Sequence, residues 1–134
     1  MIAAAAAWML TSKRTLPPST SVASVNYVLS NSSLQVTGGV TQTITLNNIQ
    51  TANLTGAISG SNNYDVSAWT GNGSLTGPAF TNNTLVATND IANFFLSDTL
   101  FTRTGRGNLT LSGIQNAILT GVTDCAACHT NDAP

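Results

Sequence analysis

Thr45-Leu46-Asn47-Asn48-Ile49-Gln50-Thr51-Ala52-Asn53-Leu54-Thr55-Gly56 is the stretch on which the fold turns. It recurs as Thr110-Leu111-Ser112-Gly113-Ile114-Gln115-Asn116-Ala117-Ile118-Leu119-Thr120-Gly121, with eight of twelve positions identical at a constant offset of 65. In both copies two short runs of strand-forming residues flank a central pair, Asn47-Asn48 or Ser112-Gly113. Such pairs tolerate the positive φ of a two-residue hairpin turn. The stretch therefore reads as one hairpin used twice, once in each sheet. Convergence on a good hairpin is the competing explanation. A period this long, seen only twice, does not read as a solenoid repeat.

Outward from these copies the pattern stays β. Val22 to Leu29 is rich in β-branched and aromatic residues, and Val40 to Leu46 alternates, with Val40, Ile44 and Leu46 on one face. Tyr64 to Thr70 alternates and carries Trp69, and Ile91 to Thr102 holds Phe94, Phe95 and Phe101. Ser61-Asn62-Asn63, Gly71-Asn72-Gly73, Asn82-Asn83 and Gly105-Arg106-Gly107 read as turns. Turn signals about every eight to twelve residues predict an all-β, antiparallel sandwich or barrel of short strands.

The N-terminus breaks this pattern. Met1 to Leu10 is an apolar run with five consecutive alanines, which favours a helix. It is far too short to span a bilayer as a helix. Lys13 and Arg14 follow the run, whereas a signal peptide has its positive charge before the apolar region. The run thus reads as a mature N-terminus or an unusual start. Leu16-Pro17-Pro18 ends any helix, because proline removes a donor and restricts the residue before it. Three segments are expected: residues 1–18 as a short apolar N-terminal helix or extension, 19–124 as the β domain with the duplicated hairpin (45–56 and 110–121), and 125–134 beyond it. An apolar extension needs burial in its own core, a membrane or a neighbouring subunit.

Composition narrows the function. The chain of 134 residues is 42% hydrophobic but 7% charged, against roughly 25% charged in an ordinary globular domain. A net charge of −1 gives no basic footprint for nucleic acid. Arg103 and Arg106 read as a solvated turn. A surface this poor in charge favours self-association. Apolar runs throughout argue against disorder. Five N-x-S/T sequons, at Asn31, Asn53, Asn72, Asn82 and Asn108, are compatible with a glycosylated surface and arise readily in so Asn-, Ser- and Thr-rich a chain.

One motif carries chemistry: Cys125-Ala126-Ala127-Cys128-His129. The spacing C-x-x-C-H is the attachment signature of c-type haem. Two thiols add across the two vinyl groups of a haem, and the histidine is held under the iron as proximal ligand. All of the chain's two cysteines and one histidine lie inside the motif. The rivals are a structural or redox C-x-x-C pair, and a zinc site, which wants four ligands and finds three unless Asp124 or Asp132 helps. Asp65, Asp90, Asp98, Asp124 and Asp132 show no spacing for a metal cage or an acid/base pair. A serine nucleophile would need the one histidine as its base.

On these five residues the chain resembles c-type cytochromes. The resemblance implies one covalent haem c held by Cys125, Cys128 and His129. Met1 and Met9 are the only methionines, so Met9 is a candidate distal iron ligand, in the same chain or a neighbour; an open position is the alternative. Cytochromes of the c-prime type also carry the motif near the C-terminus, but they are helical bundles. The apolar N-terminus ahead of a Thr-rich β domain resembles pilins and donor-strand filaments, although pilin helices are several times longer. The expected function is an exported monohaem electron carrier on a β scaffold, not an enzyme. It would polymerise into a filament at the cell surface, outside the cell or in the periplasm. Its partners would be copies of itself and redox proteins, with no nucleic acid and no transmembrane span. The alternative is a pilin-like or surface-layer subunit whose C-x-x-C is a disulfide. A ligand-binding haem enzyme is a third reading.

Overall fold

A computed structural model describes residues 9–13, 24–90 and 93–121, and every regular element among them is a strand. In chain order these are β1 (Met9–Lys13), β2 (Val25–Ser30), β3 (Ser33–Thr37), β4 (Gln42–Thr45), β5 (Thr51–Thr55), β6 (Ser61–Ala68), β7 (Asn72–Thr76), β8 (Asn82–Asp90), β9 (Phe94–Leu96), β10 (Leu100–Arg103), β11 (Leu109–Ser112) and β12 (Asn116–Gly121). They form two six-stranded sheets, ordered β1-β5-β7-β11-β10-β9 and β12-β8-β6-β2-β3-β4. The all-β expectation holds.

The antiparallel expectation does not. β1, β5, β7 and β11 run parallel, as do β2, β6, β8 and β12. Parallel neighbours need a long crossover, and here the crossover is itself a strand of the other sheet. β5 leads across to β6, β6 back to β7, and β7 across to β8. Each passage advances one strand position, so the chain coils. The central step is 21 residues, from Thr51 to Asn72 in one sheet and from Ser61 to Asn82 in the other, and the flanking steps are longer, as from Met9 to Thr51 and from Gly73 to Leu109. Four such coils stack, and two antiparallel hairpins extend the stack. β3 and β4 continue one sheet beyond β2, while β9 and β10 continue the other beyond β11. The molecule is a two-sheet β-solenoid.

Neither copy of the duplicated stretch is a hairpin. β4 and β5 lie in different sheets, and so do β11 and β12. Each copy is an arch that carries the chain across the core. What the copies share is the turn. Asn48 and Gly113, which align, both have positive φ, 56° and 67°. Leu46 and Leu111 are both buried beside them.

Alternation places Val25, Tyr27 and Leu29 of β2 inward, then Asn62, Tyr64 and Val66 of β6, and Leu85 and Ala87 of β8. Leu54, Leu75 and Leu111 face them as one row across three coils of the other sheet. Tyr27 stacks on Tyr64, ring centroids 5.2 Å apart. The Tyr64 hydroxyl crosses the core and donates to the Thr76 carbonyl at 2.8 Å. Together these residues make one continuous core.

The expected N-terminal helix on residues 1–8 and 14–18 lies outside the described residues. Met9–Lys13 is strand β1, paired with β5, so part of the 1–18 segment belongs to the β domain. Among the described residues no helix is long and apolar enough to cross a membrane.

Candidate functional site

Cys125, Cys128 and His129, with Asp124 and Asp132, lie outside the described residues. What the structure fixes is their point of departure. β12 is the edge strand of its sheet and ends at Gly121, with Cys125 four positions on. Met9 lies on β1, the edge strand of the other sheet at the opposite end of the coil stack. β1 and β11 are separated by three strand spacings, roughly 14 Å.

Next to β12 the core opens. A cleft of about 220 Å³ is lined by Leu96, Ser97, Asp98, Ile114, Gln115 and Ala117, among others. Drug-sized ligands occupy pockets of roughly 300–1,000 Å³, so this cleft alone does not enclose a haem. Its lining mixes Leu96, Leu111, Ile114 and Ala117 with the polar Ser97, Asp98, Gln115 and Asn116. Among the described residues no three His, Cys, Asp or Glu side chains gather into a metal-binding group.

No buried side-chain polar atom among the described residues lacks a hydrogen bond. Asn62 and Asn83, read from sequence as turn residues, are fully buried and adjacent across β6 and β8. The Asn62 amide donates to Asn83 Oδ1 at 2.8 Å and to the Ala57 carbonyl at 3.0 Å, while its own oxygen accepts from Ala57 N at 2.8 Å. The Asn83 amide donates to the Gly113 carbonyl at 2.8 Å and to the Pro78 carbonyl at 3.2 Å. Each asparagine ties the arch behind its strand, and Asn83 also ties the arch of the next coil. A side chain on Gly77 would collide with the Asn83 amide, and one on Gly113 with the Gly77 carbonyl oxygen. The sequence signal was present: Leu54-Thr55-Gly56 and Leu75-Thr76-Gly77 each precede a buried asparagine by the same interval.

Arg103 is not in a solvated turn. It is buried, and its guanidinium donates to the Val66 carbonyl at 3.0 Å and the Trp69 carbonyl at 2.7 Å. It also lies 5.4 Å from the centre of the Phe101 ring. Arg106 reaches the same Trp69 carbonyl at 3.4 Å. These bonds lock β10 to the turn between β6 and β7. Burial pushes the Tyr64 phenol well above its ordinary pKa of 10.0, reinforced by Tyr27 beside it.

No family model, curated protein or solved structure matches the chain.

Proposed function

We propose that this protein is an exported electron carrier, a β-solenoid that holds one covalent haem c on the segment following β12 and assembles into filaments outside the cell. The observation that carries this reading is Cys125-Ala126-Ala127-Cys128-His129, which gathers every cysteine and histidine of the chain. Each thiol would add across one vinyl group, forming a thioether with no change in oxidation state, and the His129 imidazole would ligate the iron. The haem supplies a one-electron Fe(III)/Fe(II) couple, and the protein sets its potential through axial ligation and burial. The scaffold supports this role by tethering: three residues separate Gly121 from Cys125, which keeps the attachment point within about 14 Å of a regular strand. Met9 is proposed as distal ligand, from the same chain or a neighbour. The test is the absorption spectrum of protein matured with haem-attachment machinery. A haem band that survives acid-acetone extraction is expected; a colourless protein, or extractable haem, would refute the reading.

The second reading is a structural filament or surface-layer subunit with a Cys125–Cys128 disulfide. The chain's low charge, 7% of its residues, favours it. Neither reading assigns the chain a catalytic group of its own.

A further inference from the structure

The two ends of the solenoid are complementary steps. At the β1 end the sheet containing β2 projects two strands further, through β3 to the edge strand β4. At the β12 end the other sheet projects two strands further, through β10 to the edge strand β9. We propose that molecules stack head to tail, β9 pairing with β1 of the next copy while β4 of that copy pairs with β12. The result is one continuous two-sheet solenoid filament. This inference rests on the polymerising part of the proposed function and not on the haem.

Strand direction supports it. β9 is antiparallel to β10 and β10 to β11, so β9 runs parallel to β1. By the same count β4 runs parallel to β12. Translation along the coil axis therefore makes both new seams parallel, the pairing used between the coils inside the molecule. Each sheet has six strands, so one advance of six strand spacings closes both seams at once. That advance is about 29 Å.

Register agrees as well. One row crosses the first sheet from edge to edge: Leu10, Ala52, Gly73, Leu109, Phe101, Leu96. Another crosses the second: Gln42, Val36, Tyr27, Tyr64, Leu85, Ala117. Stacking joins Leu96 to Leu10 of the next copy and Ala117 to its Gln42, which sets Leu119 beside its Ile44.

Among the described residues three of the four edge strands are unprotected, and only β1 ends in a charged residue, Lys13. Natural edge strands carry charges, prolines or bulges that block pairing. β4, β9 and β12 contain no charged residue and no proline. They expose Ile44 (41%), Phe95 (58%), Leu96 (42%) and Ile118 (53%) instead. A solenoid needs polar terminal caps to stay soluble and single, and among the described residues no element caps the cleft beside β12. A head-to-tail contact that does not close makes a filament.

The test uses the full-length protein and its Cys125→Ala/Cys128→Ala variant, which takes no haem, so the assembly and haem readings fail separately. Electron microscopy should show rods from both, with an axial repeat of about 29 Å and strands perpendicular to the rod. Ile44→Lys blocks one end and Ala117→Lys the other. Each variant alone should be monomeric with an unchanged β circular dichroism spectrum, and the two mixed should give a 1:1 dimer and nothing larger, because each keeps one open end. Monomeric starting protein, rods with an unrelated repeat, rods that persist in both variants, or variants that do not pair when mixed would overturn the proposal. Polymerisation only after residues 1–8 or 122–134 are removed would also overturn it, by showing that the chain's own terminal segments cover these edges.

Discussion

Replacing Asn83 with alanine tests how the solenoid is held in register. The side chain is fully buried and accepts from Asn62 at 2.8 Å and from the Thr81 hydroxyl at 2.9 Å. It donates at 2.8 Å to the Gly113 carbonyl. Asn62 keeps its bond to Ala57 and Thr81 its bond to the Pro78 carbonyl. Neither is orphaned, and each lost bond there costs about 1 kcal/mol. The Gly113 carbonyl loses its asparagine partner across the coils, for about 1–3 kcal/mol. With the small cavity left behind, we predict a loss of about 3–5 kcal/mol, a large share of the roughly 5–15 kcal/mol that holds an ordinary domain. Urea unfolding followed by tryptophan fluorescence, below the concentration at which the chain assembles, reads this directly. Asn83→Asp keeps the shape but removes the donor, and should be at least as damaging. A loss under about 1 kcal/mol for Asn83→Ala would show that the asparagine pair does not hold the arches, and would refute the reasoning.

The same fold makes four further predictions. Tyr64 ionises near pH 10.0 when unfolded and at a higher pH when folded; its contribution to stability is full below about pH 10 and falls above it by up to about 1.4 kcal/mol per pH unit. Stability measured from pH 9 to 11 should therefore fall less steeply in Tyr64→Phe, which itself costs about 1 kcal/mol through the lost bond to Thr76; identical slopes would contradict the burial. Asn48→Gly relieves a positive φ in an exposed turn and should change the thermal midpoint by no more than a few degrees upward. Gly113→Asn, at the aligned position, forces a side chain onto the Gly77 carbonyl and should lower the midpoint markedly. Arg103→Lys keeps the charge but loses the fork that spans the Val66 and Trp69 carbonyls, and a loss of about 2 kcal/mol is expected by chemical denaturation.

Strand content was legible in the sequence because alternation survives in any sheet: Val25, Tyr27 and Leu29, or Tyr64 and Val66, point inward whatever their neighbours. Pairing was not. A hairpin and an arch both need a residue with positive φ between two strands, and Asn48 and Gly113 satisfy either. Only the partners distinguish them: β4 pairs back onto β3, whereas β5 and β12 pair in parallel with strands 21 or more residues away. Asn62 and Asn83 misled for a related reason. Buried asparagine is rare because its amide must be satisfied, and here the arch carbonyls and a second asparagine satisfy it. The apolar pair Ala79-Phe80 lies in an exposed turn, Phe80 having φ 64°. Arg103 looked solvated because its acceptors, the Val66 and Trp69 carbonyls, are backbone atoms that no sequence pattern marks. The candidate haem site was legible as chemistry, since C-x-x-C-H is read from spacing alone.

The most direct test of the proposed function is the intact mass of the protein matured in an exporting host with haem-attachment machinery. The account predicts the mass of the chain plus one haem, lost in the Cys125→Ala/Cys128→Ala variant. A mass equal to the chain less two hydrogens, with no bound iron, would mean a Cys125–Cys128 disulfide and would contradict it.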